Sequence, residues 1–235
     1  MEDTFSPVPH NQYWSEKAPF LGKWLWLLFW MVIPQALASL LNSDLFGPEP
    51  VFRYTYLFVP QYVIRFLGIL LKVIYYLGCG LVLLKLSPIL DRYRTSGICY
   101  LAGGVVTIAT DLLPVSDETS TLALLVSLAG LLGVLALLAA EYQECMGHSE
   151  LLEDLNLDLS RKWKKLWKLF IGCYAALFVS VLLLFVSALL GLFVTLAGTL
   201  GLLAVMILKL IYLYRTAMFF RRFPREAPEA GDAAP

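Results

Sequence analysis

Chemistry in this chain would begin with charge where charge is costly. Arg65 and Lys72 fall inside a long apolar run at 58–86. On a helix, positions three and four apart share a face, and Gln61, Arg65, Gly68, Lys72, Tyr75 or Tyr76, and Cys79 follow that spacing. One polar stripe therefore runs along a helix of membrane-spanning length, with Ile, Leu and Val on its other side. Intramembrane cations of this kind line polar cavities or anion-attracting paths, or else they snorkel to an interface. The depth of Lys72 separates the two. If the span begins at Phe58, Lys72 lies near the midplane, where insertion scales put a lysine at about 2.5–3.5 kcal/mol. If it begins at Phe66, Arg65 is an interfacial anchor and Lys72 can partly snorkel. Asp111, near the end of the next apolar run, is the expected counter-charge to Arg65, because both lie within about two helical turns of the same membrane face.

A second set of groups follows the fourth apolar run. Glu141, Cys145 and His148 stand at i, i+4 and i+7, with Glu144 four before His148, so a helical extension would bring metal-binding groups together. Carboxylates and a single histidine at the end of a span are also the ordinary composition of a solvated helix end. Measured against the usual ligand sets, no metal and no cofactor is expected. The sequence has no His-Glu-x-x-His, no phosphate-binding Gly-rich loop and no Gly-x-Ser-x-Gly, so an enzyme is not expected either. Cys79, Cys99, Cys145 and Cys173 lack metal-finger or redox spacing, and no disulfide is expected among them.

A third set is basic and aromatic. Arg161, Lys162, Lys164, Lys165 and Lys168 interleave with Trp163, Leu166, Trp167 and Phe170. The simplest account is a juxtamembrane amphipathic segment over about 141–168. Its Trp rings would sit at headgroup level while its lysines meet anionic lipid headgroups, each worth on the order of 1 kcal/mol. Formal net charge is zero and the basic residues form short clusters beside apolar runs. That is the distribution of membrane flanks, and nucleic acid is not an expected partner.

The elements that would position these groups follow from hydropathy. With 59% hydrophobic and 15% charged residues and a mean hydropathy of +0.73, the chain lies outside the range of soluble domains, where about a quarter of residues are charged. A helix needs about 20 residues to cross the hydrocarbon core. The apolar runs give six spans at about 21–41, 58–86, 97–113, 121–140, 166–187 and 190–213. The last two are one uncharged stretch, 169–208, which as a single helix would be about 60 Å long, twice the core thickness, so a turn is expected around 187–191. Gly103 and Gly104, then Ala129, Gly133, Ala136 and Ala140, then Gly191, Thr195, Gly198 and Gly201 provide small-residue seams for close helix packing. Lys209 would snorkel from the end of the last span. Residues 1–20 read as a tail, and 215–235 as a basic and then disordered one. A rival reading of the first run is a secretory signal cleaved after Ala38.

The fold class is thus an all-α polytopic transmembrane helix bundle of one domain. Short-loop Lys and Arg set orientation. Lys17 and Lys23, then Lys85, Arg92 and Arg94, then the 161–168 cluster, then Arg215, Arg221, Arg222 and Arg225 alternate with loops carrying only Arg53 or no basic residue. Both termini are expected to be cytoplasmic, in a multi-pass protein of the cell membrane. The polar stripe and the small-residue seams point to a small-molecule permease or the membrane subunit of a transporter. The alternative is a non-transporting scaffold or assembly protein, with the bilayer, other membrane subunits or a cytoplasmic protein as partners.

Overall fold

The computed structural model describes residues 10–41, 61–113 and 121–223, without the side chains of residues 10–12, 40, 41, 61, 62 and 65. The expectations for the start of the N-terminal tail, the first loop, the acidic turn at 115–120 and the disordered C-terminal tail lie outside the described residues. So do those for the side chains of Gln61 and Arg65. Among the described residues the chain forms six α-helices and no strand: α1 (His10–Leu41), α2 (Gln61–Leu86), α3 (Asp91–Leu112), α4 (Thr121–Leu151), α5 (Leu157–Leu184) and α6 (Ala188–Arg221). Each is long and apolar enough to cross a membrane. The chain is a multi-pass, all-α membrane protein.

The helices exceed the apolar runs that predict them, mostly at one end. We call basal the end where α1 starts, α6 finishes, and α2–α3 and α4–α5 are joined; the other end is distal. At the basal end α1 begins at His10, so part of the expected tail is helix, and Ala18 and Leu21 bury a face of it. Pro19 and Pro34 both lie within α1. The helix α4 continues past 140 to Leu151, and α5 starts at Leu157. The expected surface segment at 141–168 is therefore the end of one spanning helix and the start of the next. Asn156 caps α5, its side chain accepting the Leu159 backbone N–H at 3.1 Å, with Asp158 in the first turn against the positive end of the helix dipole. The α5–α6 turn falls at 185–187, closed by the Ser187 N–H to Leu183 carbonyl bond of 2.8 Å.

Packing follows chain order. Each helix packs on its sequence neighbours, α6 closes on α1, and among the described residues no helix pair packs across the middle. The result is a six-membered ring. Small residues allow its closest approaches: a Cβ on Gly97 would stand 2.8 Å from the Gly80 carbonyl oxygen, and one on Gly104 would stand 2.5 Å from the Tyr76 Cβ. The basal third is filled solid by Tyr93, Trp163, Phe220, Leu21, Leu86 and Leu152, all fully buried. Large apolar side chains such as Leu124, Leu132, Phe178 and Leu203 point outward and are exposed, as lipid-facing positions of a spanning helix must be.

Candidate functional site

Above the basal plug, the ring's interior is bridged by side chains alone. Lys209 of α6 reaches across to α4, its Nζ donating to Glu141 Oε2 at 2.7 Å and to Glu144 Oε2 at 2.9 Å, with the Tyr100 oxygen of α3 at 3.4 Å. By the helical rise Lys209 is about 18 Å from the basal end of α6, too far for the snorkelling expected of it. It is buried, as is Glu144. The physical reason is that α6 continues through Arg221, so the residue that ends the uncharged stretch does not end the helix.

Hydroxyls surround the same carboxylates. Tyr100 Oη lies 2.7 Å from both Glu141 Oε1 and Glu144 Oε2, and Tyr75 Oη of α2 lies 3.5 Å from Glu141 Oε1. Tyr100 has one hydrogen for two oxygens at short range. It can serve one carboxylate fully, which leaves Lys209 as the main answer to the other. Basal to this group, His148 Nε2 faces Glu144 Oε1 at 3.6 Å, and both atoms are buried without a hydrogen-bond partner. His148 Nδ1 lies 2.9 Å from Tyr93 Oη. A hydrogen on Nε2 aimed at Glu144 leaves Nδ1 to accept from Tyr93, so one tautomer links the plug to the cluster.

Two adjoining cavities lie against Glu141. The first, about 250 Å³, is lined by Gln35, Tyr75, Tyr76, Tyr100, Thr107, Glu141, Phe170 and Tyr174 together with leucine and valine of α4. The second, about 130 Å³, shares Gln35, Tyr75, Glu141, Phe170 and Tyr174 and reaches Lys209. Both exceed the space one water needs many times over. Helices α1 to α5 all contribute to the larger one, so it occupies the ring's interior.

No family model, curated protein or solved structure matches the chain. Geometry alone is left to speak for function.

Of the sequence-predicted residues, Tyr75 and Tyr76 line the chamber and are nearly buried. Lys72 and Asp111 meet each other, Nζ to Oδ2 at 2.6 Å, with side chains 20% and 32% exposed. Asp111 thus engages Lys72, while the side chain of its expected partner Arg65 is not described. The apolar window of α2 begins at Phe66, which puts Lys72 about 9 Å along it, short of the midplane. The pair stands distal to the chamber and is not part of its wall.

The basic and aromatic set divides. Arg161, Lys164, Lys165 and Lys168 are exposed. Lys162 bonds Asp158, and Lys164 bonds Glu153 at 3.1 Å. Trp163, however, is fully buried, its ring tilted against His148 with 4.5 Å between centroids, and it donates its Nε1–H to Thr216 at 3.1 Å. It is not a headgroup anchor, because the extension of α4 gives this face of α5 a protein neighbour. Trp167 packs on Tyr142 and Phe170. Sequence reading missed the charged interior of Glu141, Glu144, His148 and Lys209. The signal available was the shared helical face of Glu141, Glu144, Cys145 and His148, which is legible as a face but not as a buried one. Among the described residues no group of three or more His, Cys, Asp or Glu side chains is placed to hold a metal ion.

Proposed function

We propose that the protein is a small-molecule permease, or the membrane subunit of a transporter, of the cell membrane, with its pathway through the ring's interior and no catalytic role. The observation that carries this reading is the chamber. Among the described residues no helices pack across the ring, and a cavity of about 250 Å³ ends on Glu141. Stable membrane folds bury charge in the interior mainly where it faces a pathway or a partner charge. Here Glu141 faces both, with Lys209 on one side and open space on the other. A protein whose only task was to hold partners together would gain nothing from a cavity at that point, since a void forfeits the dispersion contacts of its lining.

Thiol labelling tests it. Thr107→Cys and Leu138→Cys, each on a background in which Cys79, Cys99, Cys145 and Cys173 are replaced, place a reporter on the chamber wall. Lipid-facing Leu132→Cys is the control. Reaction of the wall positions with a membrane-impermeant, water-soluble maleimide from at least one side of sealed vesicles, with the control inert, is the expected result. Wall positions inert from both sides would favour the scaffold reading.

A further inference from the structure

We propose that the chamber binds a small organic cation, an amine or quaternary ammonium, held by the Glu141 carboxylate between the rings of Tyr75, Tyr76, Phe170 and Tyr174. The proposal rests on the permease reading for what the site is used for, but the binding itself stands on four independent features of the wall.

The first is charge. Glu141 and Glu144 share one ammonium, Lys209, and the imidazole of His148 faces Glu144 rather than Glu141, so Glu141 has no cation of its own. Uncompensated charge in a low-dielectric interior is expensive, and a bound cation removes that cost. The second is which carboxylate is reachable. Glu141 lines both cavities, and its side chain is 16% exposed against 1% for Glu144.

The third concerns hydrogen-bond polarity. Lys209 directs its ammonium at Glu141, Glu144 and Tyr100, using its donors within the cluster, and the Tyr75 and Tyr100 hydroxyls point at the same carboxylates. Gln35 adds an acceptor, its buried Oε1 having no hydrogen-bond partner. At its charged end the chamber therefore presents acceptors, the Lys209 ammonium being taken up by the carboxylates, while the donors left on its wall, the Tyr76 and Tyr174 hydroxyls and the Gln35 amide, are neutral. The fourth is aromatic. Tyr75 and Tyr76 stand 5.1 Å apart between centroids, and Phe170 and Tyr174 stand 4.9 Å apart, two pairs contributed from α2 and α5 to one cavity. Ring faces attract cations, most strongly where water is excluded.

The experiment uses the full chain in lipid nanodiscs and measures equilibrium binding of tetramethylammonium and choline, with the neutral isostere 3,3-dimethyl-1-butanol and with acetate. Saturable binding of the two cations with Kd below about 1 mM, at least tenfold tighter than the neutral isostere, is expected. Tyr174→Leu, which leaves every charge in place, is expected to weaken choline about tenfold, while Tyr174→Phe retains binding. Glu141→Gln is expected to abolish it. Tyr174→Leu keeps the test decisive if Glu141→Gln does not fold. Equal binding of choline and its neutral isostere, binding of acetate alone, or no binding of either cation overturns the proposal. Flux of choline into liposomes separates the two readings. Binding without flux leaves the cation site standing and removes the permease. Flux of acetate or a neutral solute without choline binding does the reverse.

Discussion

Lys72 and Lys209 carry the same side chain into the same membrane, and their surroundings make them unequal. Lys209 answers two buried carboxylates, so Lys209→Met strands Glu141 and Glu144 without their ammonium. Breaking a buried ion pair from one side costs about 3–5 kcal/mol. Lys72→Leu removes one pair, with Asp111, whose side chains are 20% and 32% exposed and lie nearer the membrane face, where a single ion pair is worth less than the interior cluster. Unfolding of the purified variants in mixed micelles should therefore show a large loss for Lys209→Met and a small change for Lys72→Leu. The reverse order would mean that the interior cluster is neutralised in some other way. At this scale the sequence was legible in part. The polar stripe of α2 offers Tyr75 or Tyr76 as its next member after Lys72, and the fold turns both inward, because they lie three and four residues beyond Lys72 and flank the same face of the helix. Nothing in that stripe ranks Lys209 above Lys72. Hydropathy places a lysine at the end of an uncharged stretch at the membrane surface and carries no information on how far the helix continues beyond it.

Between helices, what decides contact is how closely backbones can approach. The α2–α3 seam meets at Gly80 and Gly97, where an added Cβ would lie 2.8 Å from a carbonyl oxygen. A carbonyl oxygen in a helix cannot swing aside as a side chain can. Gly97→Leu must push α3 from α2, displacing the helix that carries Tyr100 to Glu141 and Glu144. Overpacking of this kind costs about 1–3 kcal/mol. A Cβ added at Gly130 or Gly172 would have nothing within 4 Å of it, so alanine there meets no neighbour and gains up to about 1 kcal/mol of helix propensity. Thermal unfolding of Gly97→Leu beside Gly130→Ala checks both signs together, and equal midpoints would remove the seam as a determinant of α3 placement. The small residues at Gly103, Gly133, Gly198 and Gly201 were readable as close approaches, because small residues at helical spacing have few other uses in a membrane, whereas the meeting of Gly80 with Gly97 was not, since neither lies in a repeated small-residue row. The helix ends were not. Composition after 140 turns acidic and then basic, which suits water, yet α4 and α5 extend through it because each finds a protein face. Trp163 seals that contact against His148 and Thr216.

At the scale of the molecule, six spans and ring closure have a consequence for sidedness that single helices do not. The start of α1 lies on the end of α6, with Trp14 and Phe220 ring centroids 6.4 Å apart and Gly22 against Arg221, so these two helix ends belong to one side. Cleavage after Ala38 would strip Leu21, Leu25, Leu28 and Val32 from the core and open the ring at α1. Which side the ends occupy is a question of charge. The basal end gathers Lys85, Arg92, Arg94, the 161–168 cluster, Arg215 and Arg221, and basic flanks are retained in the cytoplasm. Reporters fused before Met1 and after Pro235 should both be active only in the cytoplasm. Activity on opposite sides would contradict an even number of spans. Activity of both on the outside would keep the ring and invert it, turning the solid plug of Tyr93, His148 and Trp163 outward. The cytoplasmic outcome instead places that plug between Glu141 and the cell interior, so that any passage between the chamber and the cytoplasm must cross the His148–Glu144 contact.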